Sequence, residues 1–268
     1  MNLITPERRL AAVAEVREAL GIPAPLAVGL LIWARRDRAF ASTASVAEAY
    51  DRWTDDQLLE RLWGDHVHLG HYGDPPRRRD FRQAKVEFVH ELVRWSGLDQ
   101  LPPGSRVLDV GCGIGGSARI LARDYGFDVL GISISPGQIE RARQLTPAGL
   151  PCRFAVMDAL ALELADGSFD AVICNRLFHH FFESSVRVAA LRELRRISRG
   201  PIVMSFFCSQ SVSSAAFLLR NRLRREPATD RVPISFNTIS ADIAAAGTCI
   251  RASPPQTLNT CVIDAQPD

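Results

Sequence analysis

Val107-Leu108-Asp109-Val110-Gly111-Cys112-Gly113-Ile114-Gly115-Gly116 opens with four residues of strand character and runs into glycines at alternate positions. Ser117-Ala118-Arg119-Ile120-Leu121-Ala122-Arg123 follows with helix-forming residues at amphipathic spacing, so the segment reads as strand, turn, helix. Glycine suits such a turn for two reasons. It adopts positive φ without strain, and it lets a ligand approach bare backbone. The N–H groups at the start of the new helix then face that ligand. A dinucleotide fingerprint is spaced G-x-G-x-x-G, whereas this loop is D-x-G-x-G-x-G, with an acid two residues before the first glycine. An ordinary βα turn with incidental glycines is the alternative reading.

Downstream, strands are expected at 128–133, 152–156, 169–174 and 201–207, separated by helices at 136–144 and 186–197. Strands alternating with helices imply an α/β fold with a mostly parallel sheet covered on both faces. Ligands of such sheets collect at the carboxyl ends of the strands, where Asp109, Ser133, Asp158 and Asn175 fall. A helix at 239–246 and two short strands within 248–252 and 257–264 bring the expected sheet to seven strands, the last two as an antiparallel hairpin.

Upstream, 81–95 has helical spacing, with Phe81, Val86, Val89, Leu92 and Val93 as the expected buried stripe and Gly97 as its stop. A helix is expected over 46–62, entered from a linker at 41–45. The glycine-punctuated loop 63–73 then offers Trp63, His66, His68, His71 and Tyr72 as candidates to line a substrate or cofactor pocket. Its histidines lack an H-E-x-x-H arrangement, so no metal is expected. Residues 4–20 read as an amphipathic helix. Residues 22–34 are uncharged but too few to span a bilayer comfortably, and Trp33 beside Arg35, Arg36 and Arg38 suits peripheral contact with a membrane interface through 22–38. The expected division is an N-terminal helical and apolar extension, 1–45, and a main domain, 46–268.

The 268 residues are 47% hydrophobic with a net charge of +2, enough apolar material for a sizeable core and too little charge to mark a polyanion binder. Lys85 is the single lysine. The six cysteines form no C-x-x-C pair, and the charged first twenty residues do not resemble a secretory signal, so reduced thiols and a cytoplasmic location are expected. Residues 187–231 hold ten arginines against three acids, which suits either an anionic lipid surface or a solvated face.

The glycine loop resembles that of the class I S-adenosylmethionine (SAM) methyltransferases, a Rossmann-like, doubly wound fold. That resemblance implies SAM as cofactor, held by Asp109 on its ammonium group, the loop residues Gly111, Cys112, Gly113 and Gly115, Ser133 near the ribose, Asp158 and Ala159 near the adenine, and Asn175. Many members carry an acid where this chain has Ser133. Residues 46–172 are similar to a narrower group in which serine or threonine is usual there, the prenylquinol methyltransferases acting on 2-methyl-6-phytylbenzoquinol and γ-tocopherol. Tyr50-Asp51-Arg52-Trp53-Thr54, the loop 63–73, Gln83-Ala84-Lys85-Val86-Glu87-Phe88-Val89-His90 and Ser133-Ile134-Ser135-Pro136 carry the likeness. From Ile173 onward it fades into generic bacterial methyltransferases.

The resemblance implies C-methylation of a lipid-soluble prenylated quinol or phenol by in-line methyl transfer. A phenol attacks through carbon more readily if its hydroxyl loses a proton, and histidine suits that task. His179 and His180, following the fourth strand, are the candidate catalytic bases. Another small acceptor, or SAM binding without turnover, are the alternatives. No N/D-P-P-Y/F motif or recognition domain points to nucleic acid.

Overall fold

The computed structural model describes residues 43–55, 80–209, 231–252 and 260–264 continuously, with residues 60, 64–66, 70, 214, 217–219 and 223 between them. The expected helix 4–20, the interfacial stretch 22–38, Trp63, His68, His71 and Tyr72 lie outside the described residues.

Helices α1 (Thr43–Asp55) and α2 (Phe81–Ser96) precede β1 (Arg106–Val110), α3 (Gly116–Tyr125), β2 (Asp128–Ser133), α4 (Pro136–Gln144) and β3 (Cys152–Val156). There follow β4 (Ala171–Cys174), α5 (Ser184–Ile197), β5 (Pro201–Ser205), α6 (Phe236–Ala245), β6 (Cys249–Ala252) and β7 (Thr260–Asp264). The sheet order is β3-β2-β1-β4-β5-β7-β6. The first five strands run parallel, and β7 pairs antiparallel with both β5 and β6.

Strand periodicity explains the layers. Successive side chains point to opposite faces, so Leu108, Val110, Val172, Cys174, Ile202 and Met204 enter one core with Leu191, Leu194 and Ile197 of α5 and Ile239 and Ile243 of α6. Their neighbours Val107, Ala171, Ile173 and Val203 enter the other, with Val89 and Val93 of α2, Leu121 of α3 and Ile139 of α4. Near-continuous apolar strands are therefore buried on both sides. Chain reversal after β1 toward β2 and β3 and then toward β4 creates a crevice at their carboxyl ends.

Several boundaries differ from the sequence reading. Thr43, Ala44 and Ser45 are helical rather than linker, since nothing among them breaks a helix. The fourth strand begins at Ala171 rather than Phe169, which makes only an isolated parallel bridge to Ser198, and the Arg106 N–H that would extend the ladder goes to the Asp170 carboxylate at 2.8 Å instead. The fifth ends at Ser205, where pairing with Thr260 stops. On α2, Ala84 and Lys85 are fully buried while Val86 is only partly so.

The arginines of 187–231 are not all surface groups. Arg187, 4% exposed, sends Nε to Asp242 Oδ2 at 2.5 Å and joins α5 to α6. Arg196 bonds Glu193, Asp166 and the carbonyls of Leu162 and Leu164. Both have internal partners, which neither a lipid-facing nor a solvated face supplies.

Candidate functional site

An open cleft of about 1120 Å³, including its mouth, lies over the carboxyl ends of β1, β2, β3 and β4. Asp109, Gly111, Cys112, Gly113, Ser133, Asp158, Ala159, Asn175, His179, His180 and His66 all line it; Gly115 lies just behind, in the turn into α3.

Asp109 is 2% exposed, and its Oδ2 is buried without a hydrogen-bond partner. Burial pushes its carboxyl up to about 7, against one backbone bond from Ala118 that pulls the other way. A buried carboxylate with an open acceptor is a site for a cation, so it fits the ammonium group of SAM. The loop above it uses glycine conformationally: Gly111, Gly113 and Gly115 have φ of 75°, 57° and 79°.

Gly116 is required by packing instead. A Cβ there would sit 2.3 Å from the Asp65 carbonyl oxygen and 2.8 Å from the His66 ring. Arg119, on α3, bonds Asp65 Oδ2 and the Ile114 carbonyl, each at 2.7 Å, and Lys85 Nζ donates to the His66 carbonyl at 2.5 Å. These two cations fasten residues 65 and 66 across the glycine loop. Burial, then Lys85 and Arg119, lowers His66 to about 4; burial, then Arg82 and Arg176, lowers Lys85 to about 7. In an ordinary helix Gly→Ala stabilises by roughly 1 kcal/mol. At Gly116 the collision with backbone reverses the sign: Gly116→Ala is expected to lower stability by about 1–3 kcal/mol, read as a fall in melting temperature.

At the end of β2, Ser133 lines the cleft; its Oγ donates to Gln138 Oε1 at 3.0 Å and accepts from Ser135 N at 3.2 Å. Gln138 Nε2 lies 3.9 Å from the place where a Gly113 Cβ would be, which brings a donor to the cleft where many class I enzymes carry an acceptor. Sequence reading missed Gln138 because it sits inside the expected helix; its position one turn after Ser135 was the available signal.

Asp51 of α1 reaches the same turn. Its Oδ1 accepts from Ser135 Oγ at 2.5 Å and from Gly137 N at 2.9 Å, adding a negative charge at the start of α4. Asp158 lines the cleft, and its Oδ1 accepts from Leu160 N at 3.0 Å. Asn175 Oδ1 accepts from Ser205 Oγ at 2.6 Å, and Ser205 Oγ accepts from Arg176 N at 2.9 Å. That clamp holds Arg176 at φ 62°, a conformation that costs a side-chain-bearing residue energy.

The two histidines differ. His179 is 4% exposed, and burial, with His180, Arg176 and Arg231 nearby, holds it well below its ordinary value and therefore neutral. His180 is half-buried, and its Nε2 lies 3.0 Å from the hydroxyl of Tyr50, whose ring meets it edge-on at 5.9 Å. Tyr50 also lines the cleft and was not among the expected site residues, although it stands in one of the matching motifs.

Residues 107–200 match a family model described as a methyltransferase domain. The chain is 52% identical over 179 residues to 2-methyl-6-phytyl-1,4-hydroquinone methyltransferase of Synechocystis sp., covering 67% of this chain and 56% of that protein. It is 33% identical over 182 residues to the chloroplastic tocopherol O-methyltransferase of Arabidopsis thaliana, covering 63% and 51%. The chain thus spans about half the length of the curated relatives it matches. Among solved structures, magnesium protoporphyrin IX methyltransferase from Synechocystis PCC 6803 with bound SAH superposes with a TM-score of 0.62 at 20% identity, covering 83% of this chain and 98% of that one. With a parallel sheet of this order, an acid and glycine loop at its switch point and these relatives, the chain belongs to the class I SAM-dependent methyltransferases.

Proposed function

We propose that the protein transfers a methyl group from SAM to a ring carbon of a prenylated benzoquinol or phenol. The observation that carries the reading is the polar lining of the cleft, where a buried carboxylate with an open acceptor and a Tyr50–His180 pair share one cavity. The 52% identity to a prenylhydroquinone methyltransferase supports the acceptor class. Asp109 takes the ammonium group, the glycine loop lies against the amino-acid part, Gln138 donates toward the ribose, and Asp158 and Ala159 face the adenine. SAM supplies an electrophilic methyl on its sulfonium.

The protein's part is orientation and proton removal. A phenol hydroxyl bonded to the Tyr50 oxygen passes its proton to it while Tyr50 passes its own to His180 Nε2 as the ring carbon attacks, and the carbon's own hydrogen then leaves as a proton to restore the ring. Tyr50 orients the imidazole, and neutral His179 packs 4.2 Å away, centroid to centroid. His180→Ala is expected to lower kcat by about 10²–10⁴ while the SAM dissociation constant stays within a few-fold. Isothermal titration beside steady-state kinetics separates the two.

Residues 1–45 form, in this reading, an extension ahead of the catalytic domain 46–268, and residues 22–38 provide peripheral membrane contact suited to a lipid-soluble acceptor. Among the described residues no helix is long and apolar enough to cross a membrane. The test is release of S-adenosylhomocysteine from labelled SAM, with a 2-methyl-6-prenylbenzoquinol in detergent beside a panel of water-soluble phenols. Turnover on the prenylquinol is expected. Turnover on soluble phenols alone overturns the acceptor, and tight SAM binding with no turnover on either overturns the catalytic reading.

A further inference from the structure

The amino-acid part of SAM carries two opposite charges on one carbon, and Asp109 accounts for the ammonium alone. Where the carboxylate falls follows from what borders Asp109. The Ala118 N–H of α3 bonds the Asp109 carboxylate, so the first turn of α3 lies against it. A carboxylate joined to an ammonium at Asp109 is therefore within reach of that turn. The turn suits an anion: α3 opens on Gly115, which has no side chain to cap it, and no acid stands in its first residues. The early N–H groups of a helix have no partner within it and carry the positive end of its dipole. Ser117, of this turn, lines the cleft.

One side chain lies over the same turn. The His66 ring, through Cε1 and Nδ1, stands 2.8 Å from the place a Gly116 Cβ would take, and the residue lines the cleft while nearly buried. Its backbone is tied to three helices. Glu60 accepts from Nε and NH2 of Arg141 on α4 at 2.8 and 2.6 Å, and the Gly64 N–H donates to the Glu60 carbonyl at 2.7 Å. Arg119 of α3 then holds Asp65, and Lys85 of α2 holds the His66 carbonyl. A ring carried on a segment fixed in this way can make a precise contact.

The electrostatics select the ligand group. Burial, then Lys85 and Arg119, keeps the imidazole neutral, so it offers an N–H without placing a further cation beside the sulfonium and ammonium of SAM. Asp65, the acid next to it, is offset by Arg119 at 2.7 Å. The positive potential that keeps a proton off His66 is the same potential that draws a carboxylate to it. We infer that His66 binds the carboxylate of SAM, its ring N–H donating together with the first N–H groups of α3, while Asp109 takes the ammonium. The inference concerns the cofactor alone and holds whatever the acceptor.

Calorimetric titration of the full chain tests it, with SAM and with decarboxylated SAM, which keeps the ammonium and the sulfonium and lacks the carboxylate. Wild-type protein is expected to bind SAM at least about tenfold more tightly than the decarboxylated ligand. His66→Ala should remove most of that preference, binding SAM about tenfold more weakly and the decarboxylated ligand within about twofold of wild type. His66→Gln, which keeps an N–H donor, should retain part of the preference. His66→Phe fills the space without a donor, should behave as the alanine variant does, and keeps the test available if that variant does not fold. Asp109→Asn reports on the other charge and should weaken both ligands. Equal losses for the two ligands in His66→Ala make the ring a packing element and overturn the inference, as does an unchanged affinity for SAM. Wild-type protein with no preference for SAM overturns it as well. None of these readouts involves turnover, so failure of the quinol reading leaves the result standing.

Discussion

Asp109→Asn makes the cofactor-free protein more stable at pH 8 and weakens its grip on SAM, two effects of opposite sign from one oxygen. In the unfolded chain this carboxyl titrates near 3.8, and in the fold burial raises it to about 7. Between those values the folded protein holds a proton that the unfolded chain has released. The group's contribution is fully present below the unfolded value and is lost as pH rises through 7. A shift of this size, at about 1.4 kcal/mol per unit, is worth about 4 kcal/mol by pH 8. Asparagine keeps the shape without the charge and escapes the loss. The variant's advantage in melting temperature should therefore grow from pH 5 to pH 8. SAM reverses the balance because its ammonium stabilises the ionised form, so the variant should bind it roughly a hundredfold more weakly. Wild-type affinity should itself fall as pH drops below 7, by up to about tenfold per unit. Calorimetric titration across pH measures both; unchanged affinity in the variant would remove Asp109 from the cofactor site.

The largest expected loss of stability is at Arg187→Ala, far from any glycine loop. Arg187 is almost wholly buried, as is Asp242, whose other oxygen accepts from the hydroxyl of Ser184. Its NH1 also donates to the carbonyls of Phe181 and Phe182, each at 2.9 Å, on the segment that carries His180. Truncation leaves a buried carboxylate and two carbonyls without their donor, at a cost of about 3–5 kcal/mol. A double variant, Arg187→Met with Asp242→Leu, removes the stranded charge as well and should recover most of that loss. Chemical denaturation of the three proteins would settle it, and failure of the double variant to recover would place the cost in the two carbonyls. The residual activity of Arg187→Ala should be low even where it folds, because the histidine segment loses its tie to α5.

The sheet and most of the cleft could be read from sequence because they depend on local pattern. Period-two burial gave Val107 to Val110 and Ile202 to Met204 their places, and Gly97 and Pro136 marked helix ends where they stand. Asp109's place at the cleft was legible because it stands at the carboxyl end of a parallel strand, just ahead of the glycine turn. The residues that escaped are those whose role comes from a distant partner. Tyr50 meets His180 across 130 positions, and Asp51 meets Ser135 across 84. Lys85 stands outside the expected buried stripe, yet it is buried, with its Nζ donating to the His66 carbonyl. The end of a strand likewise says nothing of Gln138, five residues on, which bonds the Ser133 hydroxyl.

The Asp51 bonds to Ser135 and Gly137 also bear on how such proteins can be recombined. Residues 107–200 match the methyltransferase domain as a unit, but the helix start beside the ribose position is completed by a carboxylate more than fifty residues ahead of that unit. A hybrid joined anywhere between Asp51 and Ser135 inherits its cap from one parent and its serine from the other. Parents that both carry the Asp–Ser pair exchange halves without disturbing the cofactor turn. Where one parent lacks either member, the graft carries a broken latch into the cofactor site, however well the sheets agree.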